Sequence, residues 1–525
     1  MRKFTVPGRS TIWADSGICA TSHPIAAQAA VDILKNGGNA MDAAIAGAVA
    51  LGVCEPAMCG LGGDCFALVK PAGSNEVLGF NGSGQAPATA DPQALRDRGL
   101  RQIPATDAQA VTLPGAVDAF DRMSALWGKL GLADSLAPAI RYFEKGVPVH
   151  ERAAHDWAEN HAGLTGAARR HFLPWGHPPA PGARFALPGQ AEVLRRIARD
   201  GASAFYQGEV AEDMIAALAA KGGGHTAKDF ASVAGEQTHP ISGEYHGAKL
   251  FEHPPNGQGA IAILMLNILA RFDLAHLDPF GATRTHIEAE AAKLAYAARD
   301  TFIADPTHSD ATDRLTDPGF AAELAARIDP ERASDLVSRP EGQPHKDTIY
   351  ITVVDRDRMA VSLIYSIFSA FGSTTASDKF GVMLHNRGCG FALTEGHANE
   401  LGAGKRPMHT IIPGMLAEDG VPNLPFGVMG GQYQANGHAR FVTNLRDFGM
   451  SPQAAIDGPR AFAEGGILTL ESSHSPETAT RLAEMGHKVT VSDAPIGGAQ
   501  AIRIHASGVL EAGSDPRKDG CAIGY

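Results

Sequence analysis

Apolar positions along the chain recur with two different periods. Over the first 120 residues helix and strand patterns alternate. "SHPIAAQAAVDILKNGG" predicts a helix with Ser22 as its N-cap and Gly37-Gly38 as its stop. "NAMDAAIAGAVALGVCEP" predicts a second helix of small residues packed closely on its neighbours, and "CFALVKPAGSNEVLGFNGSG" a strand, turn and strand. Residues 130 to 340 carry mostly helical periodicity, in "SLAPAIRYFEKG", "QAEVLRRIARDG", "EVAEDMIAALAAKG" and "RTHIEAEAAKLAYAARDTFIADP". "DLVSRPEGQPHKD" is polar, has two prolines and predicts an exposed linker.

From residue 348 the period shortens. "TIYITVVD" and "AVSLIYSIF" predict two buried strands joined by Asp355-Arg-Asp-Arg. "FGVMLH", "GMLAE", "FGVMG", "ILTLE", "KVTVSD" and "AIRIHASGVLEAG" supply further strands. A helical two-thirds before a strand-rich third fits either two domains or one sheet sandwich wrapped by helices.

Composition narrows the class. The 525 residues are 44% hydrophobic and 19% charged, enough for a large buried core. The net charge of −12 and the lack of a Lys/Arg run argue against nucleic acid as a partner. The start, "MRKFTVPGRSTIWADSG", has no apolar core of a secretory signal, and no stretch has the length of a membrane span. Six cysteines without CxxC spacing predict buried free thiols and fit a reducing cytoplasm.

Local motifs on their own point to little chemistry. "GLGGD" (Gly60 to Asp64) has the glycines of a phosphate loop, but a strand follows where a helix is required. Ser83 in "FNGSGQAP" lacks the G-x-S-x-G spacing of a nucleophile elbow. "HIEAE" lacks the second histidine of a zinc protease motif and predicts an exposed helix face; Asp355 and Asp357 predict a solvated hairpin turn. "MGGQYQ" ends a strand on Gly430-Gly431, which serves either an ordinary tight turn or a pair of N–H groups facing an oxyanion.

A longer pattern is more specific. "NGGNAMDAAIAGAVALGVCEPAMCGLGGDCF", "LPGAVDAF", "LAPAIRYFEKGVPV", "PPNGQGAIAILMLNIL", "EAAKLAYAARDTFIADP", "DTIYITVVDRD", "GKRPMHTIIP", "FGVMGGQYQ", "AIDGPR" and "EAGSDPRKDGCAIGY" follow one another along nearly the whole chain. Together they resemble the gamma-glutamyltranspeptidase family. The resemblance implies an α+β fold, the four-layer αββα sandwich of N-terminal nucleophile (Ntn) hydrolases, made as a precursor that cuts itself. The implied cut lies between Asp347 and Thr348, leaving a large chain 1–347 and a small chain 348–525 interleaved in one domain as a heterodimer, with a dimer of such units as a further option.

The same resemblance makes Thr348 the nucleophile, Ser366 the hydroxyl that hydrogen-bonds it, and Gly430 and Gly431 the oxyanion hole. It implies no cofactor and no metal. The logic is chemical as well. A threonine hydroxyl needs a base, and the free α-amine on a new N-terminus supplies one with a pKa of about 7.7–8.0.

Glutamyl-reading residues differ from the family pattern. "FNGSGQAP" has no arginine; Gly390 stands at the aspartate that takes the α-amino group, Phe368 at an asparagine, and His409 and Thr410 at a pair of serines. Ile349 and Tyr350 follow the nucleophile where the family often has Thr-His. This set is similar to a branch that includes oxamate amidohydrolase. It makes Arg387 a candidate carboxylate anchor, with Thr410 and Gln432 beside it; His409 is either a second donor or a core histidine. Three readings follow: hydrolysis or transfer of a gamma-glutamyl group, hydrolysis of another small amide such as oxamate, or an uncut relic acting as a binding or scaffold protein.

Overall fold

A computed structural model describes residues 8–337 and 348–525. Asp347, on one side of the implied cut, and most of the linker lie outside the described residues. Two seven-stranded antiparallel sheets face each other. The first runs in the order Ile12–Ala14, Leu510–Ser514, Gly498–Ile504, Val421–Met429, Gly414–Glu418, Ala248–Glu252 and Ile241–Tyr245. The second runs Cys521–Gly524, Ile18–Thr21, Ile349–Val354, Ala360–Ser366, Asp64–Lys70, Leu78–Gly82 and Glu236–Thr238. Each sheet mixes strands from before and after residue 348. The domain is therefore one sandwich and not a helical unit followed by a sheet unit.

Strand alternation builds the layers. Ile349, Ile351 and Val353 point to a helix layer, where they join residues of the helices Pro24–Lys35, Ala40–Cys54 and Leu132–Lys145 in one core. Tyr350 and Val354 point the other way, into cores shared with Met415, Met429 and Ile502 of the first sheet. A second helix layer, Gly259–Leu269, Ala282–Phe302 and Gln434–Arg446, covers the outer face of the first sheet. The result is the αββα order.

The small-residue helix Ala40–Cys54 is buried on every side. Its small side chains permit close approach: a Cβ on Gly47 would stand 2.4 Å from the Ile351 side chain. Asn39 and Asp42 form a capping box at its start. Asp355, expected to be solvated, is buried instead: it accepts from the Ala40 N–H at 2.9 Å and from Asp357 and Met359 within its own turn. The hairpin thereby ties the helix to the central strand. Ser22 is not the cap of the preceding helix; the His23 ring takes that place, ahead of Pro24, and Ser22 bonds Glu55.

Five of the six cysteines are buried and all are free. Among the described residues no helix is long and apolar enough to cross a membrane.

The residues after Thr348 have a packing explanation. The Tyr350 hydroxyl meets Ser362 Oγ at 2.7 Å, and Ser362 donates to the Phe426 carbonyl of the facing sheet at 3.1 Å. Gly427 lies against the Tyr350 ring, where a Cβ would come within 2.3 Å. Gly427→Ala should therefore destabilise the protein by about 1–3 kcal/mol through overpacking. Urea unfolding of the variant and the wild type measures this; equal midpoints would mean that the sheets separate easily there.

Candidate active site

Thr348 immediately precedes the strand Ile349–Val354 and is fully buried. Its Oγ1 donates to Ser366 Oγ at 3.3 Å. Ser366 ends the neighbouring strand, and its Oγ also accepts from the Phe368 N–H at 2.9 Å. These two hydroxyls meet because the strands pair in the register Ile349 to Tyr365.

The glycines of "GLGGD" now have a reason. A Cβ on Gly62 would stand 2.2 Å from the Met383 carbonyl, and one on Gly63 would stand 2.4 Å from the Ser366 carbonyl. They allow close backbone approach beside Ser366 and cradle no phosphate.

Asp64, directly across the sheet from Ser366, is the residue that sequence reasoning missed. Its carboxylate is fully buried. Oδ1 accepts from the Gly84 and Gly115 N–H groups at 3.2 and 3.3 Å. Oδ2 accepts from His409 Nε2 at 3.0 Å, and lies 3.2 Å from His385 Nδ1 and 3.8 Å from Arg387 Nε. Burial alone would raise the carboxyl pKa, but the two histidines outweigh it and hold the group far below the usual carboxylate range. Only its place after two glycines points to it, in a pattern that a following strand already separates from a phosphate loop.

Arg387 sits on the turn Arg387–Gly390 with no exposed surface. Its Nη1 donates to Thr410 Oγ1 at 3.0 Å, while Nε and Nη2 have no hydrogen-bond partner among the described residues. The guanidinium lies 4.2 Å from the centre of the Phe368 ring. Burial lowers its pKa to about 9, partly offset by Asp64, so it remains a cation at neutral pH. Phe368 holds a left-handed φ of 75°. That strained position supplies both the N–H on Ser366 and the ring beneath Arg387.

His409 is more than a core histidine bonded to backbone. It is neutral, because burial and the nearby Arg387 lower it to about 3, and its Nδ1 has no partner among the described residues. The site thus offers two guanidinium nitrogens, Nε and Nη2, and one imidazole lone pair without hydrogen bonds among the described residues.

Gly430 and Gly431 follow the strand Val421–Met429 and have φ values of 121° and 56°. A Cβ on Gly430 would come within 2.8 Å of Gly497 Cα. The turn leads through Gly431–Tyr433 into the helix Gln434–Arg446, so the pair stands at a positive dipole end. Gln258 joins it to Arg387's partner: its Nε2 reaches the Thr410 carbonyl at 2.8 Å and the Gly431 carbonyl at 3.3 Å. Gln432 turns its Oε1 to Arg299, which also donates to Gln258 Oε1 at 3.1 Å. Thr348, Ser366, Arg387, His409, Thr410 and the glycine pair are linked by these contacts and strand pairings, with Gln432 one step behind. Gly390 packs closely on the neighbouring backbone, where a Cβ would be 2.5 Å from the Met408 carbonyl.

Comparison with known proteins identifies the family. The gamma-glutamyltranspeptidase family model matches residues 26–525. The chain belongs to the gamma-glutamyltranspeptidase family. It is 36% identical to the glutathione hydrolase-like YwrD proenzyme of Bacillus subtilis, over 96% of this chain and 97% of that one. It is 34% identical to the oxamate amidohydrolase proenzyme of Klebsiella pneumoniae, over 97% and 98%. Among solved structures, cephalosporin acylase from Bacillus halodurans superposes with a TM-score of 0.91 at 37% identity, covering 100% of this chain and 99% of the other. The fold is that of Ntn hydrolases, and the chain is a self-processing amidohydrolase of this family.

Asp64→Asn should cost about 3–5 kcal/mol, because it leaves the buried Arg387 cation without its counter-charge. Denaturant unfolding reads the loss. A change below about 0.5 kcal/mol would show that the cation is balanced elsewhere.

Proposed function

We propose that Thr348 is the nucleophile of a small-amide hydrolase that selects a carboxylate on its substrate through Arg387. The observation that carries this reading is the buried Arg387 cation with two nitrogens, Nε and Nη2, that have no hydrogen-bond partner among the described residues, joined through Asp64 and the Ser366 strand pairing to the Thr348 hydroxyl. A guanidinium edge matches a carboxylate with two parallel hydrogen bonds.

In the first step Thr348 Oγ1 attacks the Asp347 carbonyl, and water resolves the resulting ester into chains 1–347 and 348–525. The freed α-amine then acts as the base. In turnover it takes the hydroxyl proton as Oγ1 attacks the substrate carbonyl. The Gly430 and Gly431 N–H groups stabilise the oxyanion, and Ser366 orients the hydroxyl. The proton passes to the leaving amine, and the acyl ester is released by water or by an acceptor amine.

A gamma-glutamyl group would also bring an α-ammonium. The absent acidic side chain at Gly390 offers it no counter-charge, which favours a simple carboxylated amide of the oxamate type. The intact threonine, serine and glycine pair support an enzyme over an uncut scaffold. The six free cysteines fit a reducing cytoplasm, and the two chains act as one unit.

Intact mass of the purified protein tests the nucleophile. The 54.8 kDa chain should give fragments of about 36 and 19 kDa in the wild type, with Thr348 as the new N-terminus, and none in Thr348→Ala. A wild type that stays whole would remove the catalytic reading. Arg387→Met should raise KM for oxamate at least tenfold with a smaller change for an uncharged amide, corresponding to about 1.4 kcal/mol of lost carboxylate binding. Equal effects on both substrates would take Arg387 out of recognition.

A further inference from the structure

The helix Ala282–Phe302 carries a second group of buried polar residues that plays no part in the Thr348 chemistry. "HIEAE" was expected on an exposed face, yet His286 and Glu290 are both buried. Their i, i+4 spacing puts them on one side of the helix. His487 comes to meet them from the turn between the helix Pro476–Glu484 and the strand Val489–Ser492. One ligand atom from each of the three lies within 4.8 Å of the others.

The hydrogen bonds fix which atoms face inward. His286 Nε2 is 2.7 Å from the Asp329 carbonyl, which can only accept, so this nitrogen carries the proton. His286 Nδ1 is then a lone pair, and it faces His487 Nε2 at 2.7 Å. An imidazole whose outer N–H is anchored on a backbone carbonyl is the usual arrangement of a metal-bound histidine. Glu290 supplies the carboxylate, whose Oε1 accepts from Lys293 Nζ at 2.6 Å and whose Oε2 accepts from the Ser334 N–H at 3.1 Å. A cavity of about 260 Å³ opens beside the group, lined by Lys293, His487, Ser334, Leu336 and Glu464. It gives an ion a route in and leaves room for further ligands.

We infer that His286, Glu290 and His487 form a binding site for a divalent transition metal of the zinc class. Two imidazoles and one carboxylate suit zinc and its neighbours better than calcium or magnesium. The ion takes the place of the proton between the two rings. His487 takes its other tautomer, its proton moving by way of solvent from Nε2 to Nδ1 so that the ring stays neutral and Nε2 presents a lone pair to the ion, and Lys293 swings from Glu290 into the cavity. The bound ion pins three parts of the chain together: the helix, the residues from Asp329 to Ser334, and the satellite sheet Ala461–Glu464, Ile467–Glu471 and Val489–Ser492, whose core already packs on Ala289.

The test is zinc binding by the full chain after chelator treatment and gel filtration, with metal counted by mass spectrometry. The wild type should retain one equivalent and gain thermal stability with zinc. His487→Ala and the near-isosteric Glu290→Gln should each bind at least tenfold more weakly and lose the zinc-dependent gain in Tm. Cobalt offers a readout on the unaltered protein, as a low-symmetry N/O site should give a visible d–d band that zinc displaces. Wild type that retains no zinc and shows no such band, or binding equal in all three proteins, would overturn the site and leave a static hydrogen-bonded cluster.

Discussion

A strand with neighbours on both sides cannot shift by one residue without turning every side chain to the wrong layer. That constraint acts on Ile349–Val354, held between Ile18–Thr21 and Ala360–Ser366. Its odd positions fill the helix-side core and its even positions the core between the sheets. The register that satisfies both is the one that sets Thr348 beside Ser366 and Ser366 across from Asp64. Hydrophobic packing thus does the positioning, and the hydroxyl pair inherits it.

The charged part of the site is arranged around a different economy. One carboxylate, Asp64, answers two histidines and an arginine in a region without exposed surface. Its second oxygen is shared, and its first is committed to backbone N–H groups. Arg387 therefore stays charged but incompletely bonded. A buried cation left with unused donors is costly unless something else meets it. A small anion is suited to that position, and the neutral His409 beside it adds no competing charge.

Much of this was legible in the sequence. The change of period at residue 348 marked the strand, and the ordered motifs gave the family and hence the layers. The motif match also singled out Thr348, Ser366 and Arg387, which the fold places in one buried region. Other features were not legible because they depend on partners far away in the chain. Asp64 gains its meaning from His385 and His409, more than 300 residues later. Asp355 looks like a solvated turn until the Ala40 helix start is placed on it. "HIEAE" reads as a surface pattern because its third member, His487, is 201 residues beyond His286. Phe368 could be seen to replace an asparagine, but only its backbone angle and the guanidinium above it explain what the ring does.

The mixing of strands from both sides of residue 348 has a consequence for how the molecule is made. Neither segment owns a complete sheet, so neither can bury its apolar strands alone. The two segments must fold together. A break between them is then a record of successful assembly, written into the covalent structure. Once cut at the proposed site, a molecule that later unfolds would have lost the tether that brought its halves together. A copy cut in this way would have one opportunity to fold, and its working life would be set by how slowly the finished sandwich comes apart.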